Sequence, residues 1–138
     1  MESFFVGLII FLFFLILFMM AFAALWFKKN EKKYNSILDE FNRNGFDLDS
    51  VTQFSTGFGV LLVYQKIIYF VRLHKGVKMY HTKKKLVQKE AYEFIQCLPE
   101  DRIDWILKLH KFYRCIYTLV AIFFAILIFL LTIINDLL

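Results

Sequence analysis

The histidines and cysteines are the first candidates for a functional site, because both side chains can bind metals and both can take part in catalysis. The chain contains His74, His81 and His110, with Cys97 and Cys115. No C-x-x-C or H-x-x-x-H pair brings two of them together, although zinc sites usually contain such a pair. The sequence therefore predicts no metal site and no cofactor. We expect surface or boundary histidines, a small core residue at Cys97 and an apolar helix-start residue at Cys115.

Other catalytic patterns are equally weak. Gly57-Phe58-Gly59 lacks the further glycine and the lysine of a phosphate-binding loop. Glu100, Asp101 and Asp104 resemble a carboxylate cluster, but they follow Pro99, where a helix start favours acidic side chains. The spacing also predicts an ion pair from Asp104 to Lys108, one helical turn later. We therefore expect a protein that is not an enzyme.

Two long apolar segments determine the predicted architecture of the chain. Residues 4–27 carry no charged side chain, and 24 helical residues reach about 36 Å, enough to cross a hydrocarbon core of about 30 Å. A second run covers residues 115–134. The pattern predicts an all-α membrane protein with two antiparallel transmembrane helices, residues 4–27 and 114–135, flanking a small domain of residues 28–113.

The basic residues predict the orientation. All 17 Lys and Arg residues lie between Lys28 and Arg114, and such residues near span ends stay in the cytoplasm. We expect a multi-pass protein of the bacterial inner membrane with both termini outside. A cleaved signal at residues 21–23 is disfavoured, because the preceding apolar run is too long and has no basic start. The residues expected to contact lipid headgroups are Lys28, Lys29, Lys32, Lys33, Lys108, Lys111 and Arg114.

The middle domain is predicted to be mainly helical. Tyr34, Ile37 and Phe41 recur on one helical face, and residues 44–45 (Asn-Gly) suit a helix end. Residues 46–59 are expected to form a loop and 81–85 a polar basic linker.

Two further segments of the domain complete the prediction. Residues 60–73 favour a helix, with a short β-hairpin as the alternative. Helical spacing resumes over 86–98, and the helix after Pro99 should continue unbroken into the second span.

Small residues predict how the two spans meet. Apolar burial gives little drive for association in lipid, so helices pack where small side chains let their backbones approach. We expect the spans to pack through Gly7, Ala21, Ala24, Thr118, Ala121 and Ala125.

The layout resembles that of universal stress protein B and similar small bacterial inner-membrane proteins. The local similarity is Glu93-Phe94-Ile95 with Cys97, before the basic residues of the second span. The resemblance implies an N-terminal span, a helical cytoplasmic part and a helix that runs into a C-terminal span. It implies no defined reaction.

Two hypotheses for function follow. The first is a non-enzymatic accessory or regulatory membrane protein that acts through contacts with a protein partner or its own copies, one version being an immunity-type protein against a membrane-directed toxin. The second is a membrane-tethered sensor or effector whose cytoplasmic domain binds a small ligand or anionic lipid. Nucleic acid is not an expected partner, because the Lys83–Lys85 run alone lacks interleaved aromatic residues. A concave pocket with convergent basic groups would favour the second hypothesis.

Overall fold

A computed structural model describes residues 2–46, 48, 50–55, 62–82 and 85–138. The chain is mainly helical, as predicted. Its elements in chain order are α1 (Glu2–Lys29), α2 (Glu31–Arg43), α3 (Ser50–Ser55), α4 (Val63–Lys75), β1 (Tyr80–Thr82), β2 (Lys85–Leu86), α5 (Lys89–Gln96) and α6 (Glu100–Leu137).

Helices α1 and α6 are each long and apolar enough to cross a membrane, and no other helix of the described residues is. In α6 the chain continues from the acidic first turn at Glu100 and Asp101 to Leu137 without a break. The prediction of one continuous helix from Pro99 into the second apolar run is therefore confirmed.

The residues form two compact units, and one of them comprises Met1–Ala23 with Phe112–Leu138. Three ring contacts join its two helices: Phe5 with Phe129 at 6.0 Å, Phe13 with Phe123 at 6.4 Å and Phe22 with Phe112 at 5.4 Å. The residue numbers rise along one helix as they fall along the other. The two apolar segments of this unit therefore run in opposite directions.

The other unit comprises Ala24–Lys111 and has its own apolar core. Tyr34, Ile37 and Phe41 of α2 are all buried, which confirms the predicted face. Phe41 contacts Phe70 at 5.6 Å and Phe94 at 6.1 Å, so α2 packs against α4 and α5. The fully buried side chains of this core include Phe27, Tyr34, Ile37, Phe41, Ile67, Phe70, Leu73, Ile95, Ile106 and Leu109.

Turns of the expected kind close these helices. Helix α2 ends at Arg43, and Gly45 adopts φ +77°, a left-handed conformation that costs glycine little. Gly76 plays the same part after α4, with φ +73°. Between α1 and α2 only Asn30 is non-helical, and its side-chain amide donates to the Trp26 carbonyl at 3.0 Å.

Three local predictions need correction. The β-hairpin alternative over 60–73 is wrong for the described residues 62–73, which lead into and form α4, while 60–61 lie outside the described residues. The expected loop over 46–59 contains α3, whose Ser55 hydroxyl donates to the Thr52 carbonyl at 2.7 Å. Of the linker expected at 81–85, residues 81–82 and 85 lie in two paired antiparallel strands, and 83–84 lie outside the described residues. Helix α5 begins at Lys89 rather than near 86.

Candidate functional site

A groove of about 440 Å³ lies beside the hairpin and α5. Its volume is within the range typical of small-molecule pockets, about 300–1,000 Å³. Met79, Leu86 and Val87 give it apolar walls, and Lys78 and Lys89 give it two ammonium groups. The remaining lining residues are Gly76, Tyr92, Glu93 and Gln96.

The hydroxyl of Tyr92 fixes the hairpin against α5. It accepts a hydrogen bond from the Met79 backbone N–H at 3.0 Å and donates one to the Val77 carbonyl at 2.7 Å. The Val87 N–H also donates to the Met79 carbonyl at 3.0 Å, at the base of the hairpin. These bonds satisfy backbone groups that two very short strands leave without sheet partners. The wall of the groove is thus held in place without a ligand.

The other end of the groove lies at the C-terminal end of α4, where Gly76 and Gln96 line it. The Gln96 side-chain amide donates to the carbonyls of Leu73 and His74, at 3.4 Å each. A Cβ atom at Gly76 would lie 3.6 Å from the Gln96 amide nitrogen, so the turn passes close to α5. Because Gly76 also has positive φ, a larger residue there would be strained.

The sequence that leads into α5 is strongly basic. Between Ser50 and Lys89 there are eight Lys and Arg residues and no Asp or Glu. Within the lining itself the two ammonium groups face one carboxylate, that of Glu93, and all three residues are exposed. The groove therefore combines apolar walls with exposed charged side chains of net positive charge. This combination suits a ligand with an apolar part and a negatively charged group.

A second polar feature lies inside the unit of Ala24–Lys111. Lys66 is only 3% exposed, and its ammonium nitrogen lies 5.1 Å from the centre of the Phe27 ring. Burial lowers the pKa of Lys66, partly opposed by the charge of Glu31. The Tyr34 hydroxyl donates to the Lys66 carbonyl at 3.5 Å, and burial raises the pKa of this tyrosine. This cluster is part of the core and does not open into the groove lining.

The residues predicted to meet lipid headgroups all lie on the surface. Lys28, Lys29, Lys32, Lys33, Lys108, Lys111 and Arg114 are exposed. Lys108 also makes the predicted ion pair with Asp104, at 2.8 Å. Their contact with lipid remains a prediction.

The small residues predicted to join the spans are placed differently. Gly7, Ala21, Thr118, Ala121 and Ala125 are exposed, and Ala24 is half-buried. Thr118 donates to the Arg114 carbonyl of its own helix at 2.9 Å.

The contact of these small residues between the apolar helices stays a prediction. The side chains that meet there are large, as in the Phe5–Phe129 and Phe13–Phe123 pairs. Rings can fill the space between two helices whose backbones do not approach closely. The small side chain of Ala23 in α1 is completely buried as well.

The histidines and cysteines lie apart. Among the residues that the structure describes, no group of three His, Cys, Asp or Glu residues could hold a metal ion. His110 is buried and stacks on Tyr64 at 6.1 Å. Cys97 is exposed, so its prediction as a core residue is wrong. The reason is that α5 ends there, with Cys97 as its C-terminal cap.

The groove is the feature that sequence reasoning missed. Its described walls come from residues 76–79, from residues 86–87 and from α5, which the pattern divided into a linker and a longer helix. The bond that joins them, from Tyr92 to Val77, spans 15 positions and leaves no periodic signal. The dense run of lysines around residues 75–89 was the available clue.

No protein-family model, curated protein or solved structure matches the chain. The resemblance to universal stress protein B therefore still depends on the layout and on residues 93–97.

Proposed function

We propose that this protein is a non-enzymatic accessory or regulatory protein of the bacterial inner membrane that acts through protein contacts. In this proposal α1 and α6 cross the bilayer as antiparallel spans, and the domain between them lies in the cytoplasm. An immunity-type protein that blocks a membrane-directed toxin is one concrete form.

The observation that carries the proposal is the exposed apolar surface of the two long helices. Only 11% of the most apolar window of each helix is buried within the chain. Phe11, Phe14 and Phe18 expose 61%, 63% and 71% of their surface. A contiguous apolar surface of this kind requires lipid, a protein partner or both as its cover.

Cysteine labelling in intact cells tests the topology. In a Cys97→Ser, Cys115→Ser background, a membrane-impermeant thiol reagent should label a cysteine at Glu2 or Leu138 and should spare one at Lys33. All three parent residues fall outside the core. Labelling at Lys33 from outside would reverse the orientation.

Photocrosslinking in cells tests the protein contact. A photoreactive phenylalanine analogue at Phe18 should give one discrete protein adduct, because that ring points away from the rest of the chain. An adduct of twice the monomer mass would identify a homo-oligomer, and another discrete mass would identify a partner. Adducts with lipid alone at Phe11, Phe14 and Phe18 would count against a protein contact through the first span.

A second candidate function is a membrane-tethered sensor whose domain binds a small ligand or anionic lipid. The groove beside α5 favours it, since concave shape, apolar walls and two lysines converge there. Ligand-dependent protection of the domain against thermal unfolding tests this function, because a ligand that binds only the folded state raises stability.

A further inference from the structure

We propose that the groove between the hairpin and α5 binds a small amphipathic monoanion, namely a single alkyl chain that ends in a carboxylate. The inference rests on the second candidate function and names the chemical class of its ligand.

The volume of the groove limits the size of this ligand. A space of about 440 Å³ lies in the lower part of the range typical of small-molecule pockets, about 300–1,000 Å³. An alkyl carboxylate of medium length fits within that space. A phospholipid with two acyl chains is several times larger, so it could enter with only part of its structure.

The walls select an apolar chain. Met79 is half-buried, and Leu86 exposes 46% of its surface although both line the groove. Covering such side chains contributes about 25 cal/mol for each Å² of apolar surface removed from water. An unbranched methionine also adapts to chains of different shape. A purely ionic ligand would leave this surface exposed.

The charges select one negative group. Among the described residues of the lining, Lys78 and Lys89 contribute two positive charges and Glu93 contributes one negative charge, which is a balance of +1. A monoanionic carboxylate matches that balance. An uncharged alcohol would leave both ammonium groups without an opposite charge.

The groove is also already formed. Tyr92 holds the hairpin through two hydrogen bonds, and the Gln96 amide holds the end of α4. A ligand therefore does not have to order these elements when it binds, which removes a large entropic cost of association.

The methionines provide the test. Met79 lines the groove, whereas Met19 and Met20 lie in the apolar part of α1. We suggest placing the full chain, with ¹³C-methyl methionine, in nanodiscs of phosphatidylcholine and titrating it with octanoate. The Met79 methyl signal should shift and saturate. Met19 and Met20 report any octanoate that simply enters the bilayer.

Matched variants and ligands distinguish the contribution of the ligand's negative charge from that of its alkyl chain. The double change Lys78→Gln, Lys89→Gln should weaken octanoate binding about 3- to 10-fold, as expected for two exposed ion pairs. Arg43→Gln, at an exposed residue outside the groove lining, should leave binding unchanged. Leu86→Asn should weaken binding without changing the charge. Octan-1-ol should bind more weakly than octanoate.

Three results would overturn the inference. The first is a Met79 signal that stays fixed or moves only in proportion to Met19 and Met20. The second is equal binding of octan-1-ol. The third is a Met79 shift caused by phosphatidylglycerol in the nanodisc with none caused by octanoate, which would refute the ligand class and keep the sensor function. If neither probe moves Met79, the sensor function fails as well.

Discussion

Phenylalanine is abundant in both units of this molecule, yet its side chains meet opposite surroundings. Along the apolar helices Phe4 and Phe18 expose 67% and 71% of their surface. In the unit of Ala24–Lys111, Phe27, Phe41 and Phe70 are completely buried. In the unit of Ala24–Lys111 the chain itself surrounds these rings with apolar side chains. In the unit of the apolar helices it leaves the rings of Phe4 and Phe18 exposed. The two units are therefore suited to two different solvents, water and lipid.

Hydrogen bonding shows the same difference. In the apolar pair, the hydroxyls of Thr118 and Thr132 each donate to a carbonyl four residues earlier in their own helix, at 2.9 Å. In the other unit, Tyr92 and Gln96 bond across elements that are distant in sequence. A helix in lipid must satisfy its polar groups by itself, whereas a water-soluble core can use them to join its elements. Substitutions should therefore disturb the two units by different amounts.

The largest expected difference is between two phenylalanines. Phe41→Ala should destabilise the unit of Ala24–Lys111 by about 3–5 kcal/mol, because it leaves a cavity where the ring touches Phe70 and Phe94. Phe18→Ala should have almost no effect on this unit. Both tryptophans, Trp26 and Trp105, lie in Ala24–Lys111, so urea unfolding followed by their fluorescence measures its stability.

Equal effects of the two alanine variants would contradict this comparison. It would mean that the buried core around Phe41 is no more important to folding than the exposed surface of α1.

How much of this fold was predictable depends on the range of the interactions. The apolar runs and the face of Tyr34, Ile37 and Phe41 follow from spacing within one helix, and the structure agrees with them. Charge and capping signals within a few residues were equally informative, as at Gly45 and in the Asp104–Lys108 pair.

Features that depend on distant contacts were missed. The segment that leads into β1 is held by the hydrogen bond from the Met79 N–H to Tyr92, which no local pattern links to it. The contact face of the apolar helices is also beyond what a local pattern can predict. In a helix that is apolar on every side, the sequence gives no periodic signal for the face that meets its neighbour.

The second prediction tests which small residues of the two apolar helices are packed. Ala23 is completely buried, whereas Ala121 is exposed. Ala23→Leu should cost about 1–3 kcal/mol through overpacking, and Ala121→Leu should be tolerated. Detergent-to-SDS titration followed by helical circular dichroism gives the stability of both variants. A larger cost at Ala121 would restore the small-residue contact that the sequence suggested.

The third prediction concerns the buried Lys66. Burial lowers its pKa in the folded protein below the ordinary value of 10.5, so the unfolded chain binds more protons in the interval between the two pKa values. Stability should therefore rise as the pH increases through that interval, because folding no longer has to bury a charge. In Lys66→Met this contribution should be absent.

The measurement is the difference in urea stability between wild type and Lys66→Met at pH 7.5 and at pH 9.5. Lys75→Met, at an exposed position of the same helix, controls for the loss of one lysine. A difference between wild type and Lys66→Met that does not change with pH would show that Lys66 stays fully charged throughout this range.

The smallest expected effect belongs to an ion pair on the surface of the domain. The guanidinium of Arg102 donates to both carboxylate oxygens of Glu40, at 3.0 and 2.9 Å, and to the Ser36 hydroxyl at 3.1 Å. Its hydrogen bond to Glu40 lowers the pKa of that carboxyl below 4.5. The stabilisation from a lowered carboxyl pKa is present above the ordinary value and is lost as the pH falls through the folded value.

Arg102→Gln should therefore reduce urea stability slightly at pH 7, and its difference from wild type should shrink below pH 4. Lys108→Gln removes a pair with Asp104 that is more exposed and has one hydrogen bond, so its effect should be smaller still. The bidentate geometry and the third contact to Ser36 are the physical reason for this order, because they fix the guanidinium in one orientation. If Lys108→Gln had the larger effect at pH 7, geometry would not be what distinguishes these two pairs.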